Sequence, residues 1–291
     1  MDSPSPDSRS QDSPTYGFIG LGNIGGPMAR RLTGWPGGLV VRDLDPDRVA
    51  PLVAEGAVAA DSVTELGERC DAVSVMVLND AQVRDVVDEL LTTMRTDGVI
   101  AVHSTIEAPT AVELAERAAA AGVRLLDAPV SGGFIGAAEG RLAVLVGGDE
   151  AAIDLVRGPW ACFADLVIRF GPVGAGTQAK LARNLLHFTA FTAAAEAQQL
   201  AAAAGIDLAS LSRVVRHSDA VTGGPGSIML RTSTEPLRPG DDWYDTMCHV
   251  RSLGEKDLDL ALGLARELGV DLPLASLART HLAAGLGVPE D

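Results

Sequence analysis

A doubly wound α/β domain joined by a long helix to an all-helical domain is the fold class this sequence predicts. Three observations carry that expectation. Between residues 16 and 170, short β-branched runs bounded by Gly or Asp alternate with amphipathic stretches, the pattern of a parallel sheet covered on both faces. From Thr177 to Ala204 there is neither Gly nor Pro, and alanine and leucine dominate, so one continuous helix of roughly 40 Å is expected. Beyond Gly205 no strand-like alternation returns.

The elements follow in order. Residues 1–15, MDSPSPDSRSQDSPT, hold Ser, Pro and Asp without an apolar stretch and read as a disordered tail. They lack the basic region and apolar run of a signal peptide. Strands are expected at YGFIG, GLVVRD, AVSVMVL, GVIAVHS, VRLLDAPV, LAVLVGG and LVIRF, with helices at GGPMARRLT, PDRVAPLVAEG, DAQVRDVVDELLTTM and APTAVELAERAAAAG. The character changes after GPVGAGTQ, which places the boundary near residue 175 and gives domains of 16–175 and 176–291. In the second, DLASLSRVVRHS, DWYDTMCHVRSLGEKDLDLALGLAREL and LASLARTHLAAGL read as helices. Glu65, Glu68 and Arg69, like Asp85, Asp88 and Glu89, read as charge runs on exposed helix faces.

Composition excludes several function classes. At 291 residues and 47% hydrophobic the chain can build substantial cores. A net charge of −16 argues against nucleic-acid or membrane-surface partners, which need basic patches. Three scattered cysteines without a CxxC fit a reducing cytoplasm and no disulfide framework. No two histidines stand at i, i+4 and no HxH occurs, so no metal site is expected.

The chemistry starts at YGFIGLGNIGGPMARRL, where Gly20, Gly22 and Gly25 form GxGxxG between a strand and a helix. In that context Gly20 allows the tight turn, Gly22 the approach of a pyrophosphate, and Gly25 close helix–strand packing. Leu21, Asn23 and Ile24 complete a turn whose backbone N–H groups face the phosphates. Asp43, closing the second strand, suits the ribose hydroxyls and repels a 2′-phosphate, which favours NAD over NADP. A Rossmann-like domain follows from this turn.

Four stretches, GFIGLGNIGGPMA, DAPVSGGFIGAAEGRLAVLVGG, GPVGAGTQAKLARN and EKDLDLAL, resemble in order and spacing the β-hydroxyacid dehydrogenases related to 3-hydroxyisobutyrate dehydrogenase, with the cofactor domain of 6-phosphogluconate dehydrogenase. The resemblance implies hydride transfer between NAD(P) and a short β-hydroxyacid, or reduction of the matching semialdehyde. It places the general acid/base on Lys180, one of two lysines in a chain with 23 Lys plus Arg. A buried amine can give up its proton near neutrality and a guanidinium cannot. It implies that Asn184, one turn along, binds substrate and orients the amine, and that Ser131, Gly132 and Gly133 offer donors to a carboxylate. Leu78 and Asn79 would meet the adenosine side, Thr105 the nicotinamide end, and Lys256 the cofactor. His103 and Arg183 stand where relatives usually carry an acid and an asparagine. A small anionic substrate and a homodimer or homotetramer are further implications, the alanine-rich helix being suited to close packing on a symmetry mate. The competing expectations are an imine-reductase-like enzyme and a non-catalytic NAD-binding module.

Overall fold

The computed structural model describes residues 13–290. The first compact unit ends at Ala182 and the second begins at Arg183. The chain opens with β1 (Tyr16–Ile19), α1 (Gly25–Arg31), β2 (Leu39–Arg42), α2 (Pro46–Ala54), β3 (Val58–Ala59), α3 (Val63–Arg69), β4 (Ala72–Val75), α4 (Asp80–Leu91), β5 (Val99–Val102), α5 (Ala108–Ala120) and β6 (Arg124–Asp127). These six strands pair in parallel in the order β3-β2-β1-β4-β5-β6. Every residue of β1, β4 and β5 is buried, as a central parallel sheet covered on both faces requires. Alternation along β1 divides two cores. Tyr16 and Phe18 join Met28, Trp160 and Phe163, whereas Ile19 joins Leu66, Val87 and Leu114.

The sheet is not all parallel. VRLLDAPV is two strands, because Ala128 and Pro129 interrupt it between β6 and the short β7 (Val130–Ser131). After α6 (Gly133–Glu139), β8 (Leu142–Gly147) runs antiparallel to β6 and β7. Then α7 (Glu150–Trp160) returns the chain to β9 (Ala164–Gly171), parallel to β8. The link from β7 to β8 is too short for a parallel crossover, so the pair takes the antiparallel arrangement. Residues 14 and 15, expected as the end of the tail, are held by hydrogen bonds. Trp35 Nε1 donates to the Pro14 carbonyl at 2.8 Å, and Thr15 N–H to Asp71 Oδ2 at 2.8 Å; residues 1–12 lie outside the described part.

The helix expected over 177–204 is α8 (Ala175–Ala203), unbroken for 29 residues. It passes from the first unit into the second, where α9 (Leu208–Thr222), α10 (Tyr244–Leu268) and α11 (Pro273–Leu286) follow. Within the second unit, Glu196 on α8 accepts from the N–H groups of Leu274 and Ala275 at 2.7 and 2.8 Å. Its buried carboxylate thereby satisfies two otherwise unpaired donors at the start of α11. Among the described residues no helix is long and apolar enough to cross a membrane.

Candidate active site

A cleft of about 820 Å³ opens at the carboxyl ends of β1, β2 and β4, the edge where open α/β sheets bind ligands. Gly20, Gly22, Asn23, Ile24 and Gly25 line it, with Asp43 and Leu78. Gly20 has φ +91°, and a Cβ there would strike the Met76 carbonyl; a Cβ on Gly25 would strike the Gly20 carbonyl. The turn therefore admits only glycine at both points. Gly22, by contrast, faces space, its nearest neighbour being an Arg48 nitrogen 3.4 Å from where a Cβ would stand. A bare backbone beside an open cleft is what a pyrophosphate needs, so these residues fit a dinucleotide.

Asp43 follows β2 directly. Its Oδ2 accepts from Leu21 N–H at 2.6 Å and its Oδ1 from Asp45 N–H at 2.9 Å. The carboxylate thus ties the glycine-rich turn to the end of β2, and each oxygen keeps a lone pair for a ribose hydroxyl. Asp45, Asp85 and Glu89 add three carboxylates to the same wall. Asp85 and Glu89 are therefore cleft residues as well as members of an exposed charge run. Sequence spacing cannot show that, because α4 meets the cleft only through the tertiary fold. Two arginines also line it, and Arg48 Nε is paired with Asp45 Oδ2 at 3.2 Å. Arg42 donates to the Asp43 carbonyl.

The other expected cofactor residues divide. Leu78 is 87% exposed on the cleft wall, its N–H donating to Gln82 Oε1 at 2.9 Å. Asn79 caps α4, its side-chain oxygen accepting from Gln82 N–H at 3.0 Å. Thr105 is exposed just after β5. The neighbouring Ser104 hydroxyl accepts from Val77 N–H at 2.9 Å and donates to Val77 O at 2.8 Å, locking the loop after β4 to the loop after β5. Lys256 lies on α10 with its side chain 60% exposed, paired with Asp257 at 2.7 Å.

Lys180 is 8% exposed, in the second turn of α8. What holds that end of the helix is Asp127, the last residue of β6, which is fully buried. Asp127 Oδ1 accepts from Gly174 N–H at 2.8 Å and Oδ2 from Thr177 N–H at 2.6 Å. Burial pushes this carboxyl above its usual range, against the pull of those two backbone bonds. A carboxylate at a helix N-terminus also meets the positive end of the helix dipole. Four residues after Asp127 comes Ser131, then Gly132 at φ +133° and Gly133 at φ +63°, both exposed. The strand that leads into this loop and the helix that carries Lys180 are therefore hydrogen-bonded to each other. Asn184 follows one turn further along α8, its Oδ1 accepting from Arg183 at 3.2 Å.

His103 is 1% exposed and its pKa is pushed down to about 4 by burial, with the bond to the Ala128 carbonyl opposing. The unfolded chain, with an ordinary imidazole near 6.5, binds more protons than the native state between those values. Its contribution to stability is thus complete above pH 6.5 and lost as pH falls toward about 4. Asp127, shifted upward, works in the opposite sense. Urea titrations at pH 7 and pH 5 should show a loss approaching roughly 1.4 kcal/mol per pH unit from His103, and His103→Phe should flatten that slope.

The family model for the NAD binding domain of 6-phosphogluconate dehydrogenase matches residues 15–171, and the model for NAD-binding of NADP-dependent 3-hydroxyisobutyrate dehydrogenase matches residues 174–288. The chain belongs to the β-hydroxyacid dehydrogenase family. As a member it is an NAD(P)-dependent dehydrogenase. It is 37% identical over 268 residues to the 3-hydroxyisobutyrate dehydrogenase of Pseudomonas aeruginosa, covering 90% of this chain and 89% of that one. In structure it is similar to a crystallised oxidoreductase from Mycobacterium avium 104, with a TM-score of 0.92, 51% identity, and coverage of 96% of this chain and 100% of that one. The 3-hydroxyisobutyrate dehydrogenase of Mycobacterium tuberculosis, solved with L-serine, gives a TM-score of 0.65 at 30% identity, covering 94% and 95%. An imine reductase from Pseudomonas shares the dehydrogenase's fold alone, at a TM-score of 0.74 and 21% identity over 94% and 96% of the two chains.

Proposed function

We propose that this dehydrogenase oxidises a short β-hydroxyacid with NAD, or reduces the matching semialdehyde, with Lys180 as general acid/base. The observation that carries the proposal is the position of Lys180. It is a buried amine near the start of a helix whose N-terminus Asp127 ties to the strand entering Ser131–Gly133. The bound nicotinamide supplies the hydride acceptor, or the donor in the reverse direction. Lys180 Nζ takes the hydroxyl proton as hydride leaves the same carbon, and in reduction returns a proton to the carbonyl oxygen. Ser131 and the backbone N–H groups of Gly132 and Gly133 hold the substrate carboxylate. Asn184, one turn further along α8, orients the substrate and the amine.

Purified protein offered a panel of short β-hydroxyacids with NAD and with NADP, read at the absorbance of reduced nicotinamide, tests this directly. Turnover of at least one supports it. Binding of NAD with no turnover points to a non-catalytic module, and reduction of cyclic imines points to the imine-reductase chemistry.

Cofactor choice is part of the same proposal. Four carboxylates on the adenosine side, against two arginines of which one is paired to Asp45, support NAD. Asp43→Asn combined with Leu44→Arg should move preference toward NADP, measured as the ratio of kcat/KM for the two cofactors. Leu44 is 88% exposed, so an arginine there displaces no packing. A wild type that already prefers NADP would overturn this part.

We further propose that the protein works in the cytoplasm as a homodimer or higher homo-oligomer. Leu181, Leu185 and Phe188 form an exposed stripe along α8, with Phe191 beside it, at 49%, 72%, 60% and 58% exposure. An apolar stripe of this kind usually marks an interface. Light scattering coupled to size exclusion should give at least twice the 30.0 kDa chain mass, and Leu185→Glu with Phe188→Glu should reduce it to one.

A further inference from the structure

His103 takes part in a chain of hydrogen bonds that crosses the core of the first unit. Trp160 Nε1 donates to Tyr16 Oη at 2.8 Å, Tyr16 Oη and Ser74 Oγ are 2.8 Å apart, Ser74 Oγ lies 2.8 Å from His103 Nε2, and His103 Nδ1 lies 2.7 Å from the Ala128 carbonyl oxygen. All four side chains are buried. The two ends decide every proton between them. An indole N–H can only donate and a carbonyl oxygen can only accept. Nδ1 must therefore carry the imidazole proton, Nε2 must accept from Ser74, and the serine oxygen must accept from Tyr16. Each hydroxyl then donates once and accepts once, all in the same direction. Phe18, Trp160 and Phe163 surround the ring, with centroids 6.5, 5.5 and 5.8 Å away.

The chain ends on the backbone that enters the glycine loop. Ala128 N–H is bonded to the Val102 carbonyl at 2.8 Å, and its carbonyl is bonded to His103. Pro129 has no N–H to contribute, so Ala128 supplies the last donor before β7. We propose that His103 is a positioning residue: its Nδ1–H bond to Ala128 fixes the backbone that presents Ser131, Gly132 and Gly133. The consequence for substrate rests on the loop's role proposed above, but the backbone role does not.

The test compares His103→Phe, His103→Asn and Ser74→Ala in the full-length protein by hydrogen exchange of the amides over residues 130–133. Phenylalanine keeps the ring packing and removes the donor. Asparagine can place its amide N–H near the Nδ1 position. Ser74→Ala removes the acceptor's partner and spares the bond to Ala128. Exchange should quicken by about tenfold in His103→Phe, the scale of one lost buried hydrogen bond, and stay near wild type in the other two. With NAD and 3-hydroxyisobutyrate as probe, His103→Phe should raise KM for the hydroxyacid and leave KM for NAD unchanged, and His103→Asn should restore it. Equal loss of protection in His103→Phe and Ser74→Ala, in proportion to their stability, would overturn the proposal. Nitrogen–proton correlation spectra of the wild-type ring give a check that needs no variant: a proton on Nε2 instead of Nδ1 overturns it. If the exchange pattern holds and the wild type turns over no β-hydroxyacid, the positioning role stands and the proposed function fails.

Discussion

Lys180→Arg should abolish turnover while leaving NAD affinity close to wild type. Arginine keeps a positive charge near a substrate carboxylate, so binding driven by charge survives. What it cannot do is cycle between protonated and neutral forms in the accessible pH range. Removing a positioned general acid/base typically costs about 10² to 10⁴ in rate, and the loss should appear in kcat. Lys256→Arg provides the internal comparison. That side chain is 60% exposed and already paired with Asp257, so a change that retains its charge should alter KM more than kcat. Near-normal kcat in Lys180→Arg across the pH range would remove Lys180 from the chemistry.

The second large effect is expected at Asp127. Asp127→Ala leaves the N–H groups of Gly174 and Thr177 buried without acceptors. Each such group costs about 1 to 3 kcal/mol, so a loss of roughly 2 to 6 kcal/mol is expected in urea unfolding. Asp127→Asn is the sharper variant. Its single side-chain oxygen can serve one N–H, and its amide group then faces the other as donor against donor. Both variants should lower kcat, since the first turns of α8 place Lys180, and both should spare NAD binding at the distant Gly20–Gly25 turn. A variant as stable as wild type would show that the helix start is held by something else.

The parts of this structure that were legible in the sequence are those written in local pattern. Continuous apolar runs gave β1, β4 and β5 because burial on both faces leaves no polar register to read. The absence of Gly and Pro marked α8 to within two residues of its start. The glycine turn was legible because Gly20 and Gly25 are fixed by close backbone approach, which no other residue tolerates. The break at Ala128–Pro129 was hidden inside a run with uniform β character, and the antiparallel β8 depends on where the chain returns after α6. In the site, Asp127 looked like part of a motif, but its partners lie 47 and 50 residues away. Asp85 and Glu89 read as solvent charges because nothing in α4 itself says which face meets the cleft. His103 could be seen as unusual, whereas its role depends on the Ala128 carbonyl, 25 residues away and on another element.

Asp43 carries a consequence for how this enzyme's cofactor preference can change over evolutionary time. One carboxylate both lines the cleft and, through Leu21, holds the glycine turn in place. With the NAD preference proposed above, a single mutation that removes its charge also weakens the bond that holds the glycine turn, so a change of cofactor that begins at position 43 should cost binding of either dinucleotide. Leu44, solvent-facing and unbonded to the turn's side chains, has no such double duty. On that proposal the accessible first step toward a phosphorylated cofactor is a new cation at Leu44, with Asp43 exchanged only afterwards, so the order of substitutions is set by the hydrogen bond of one side chain.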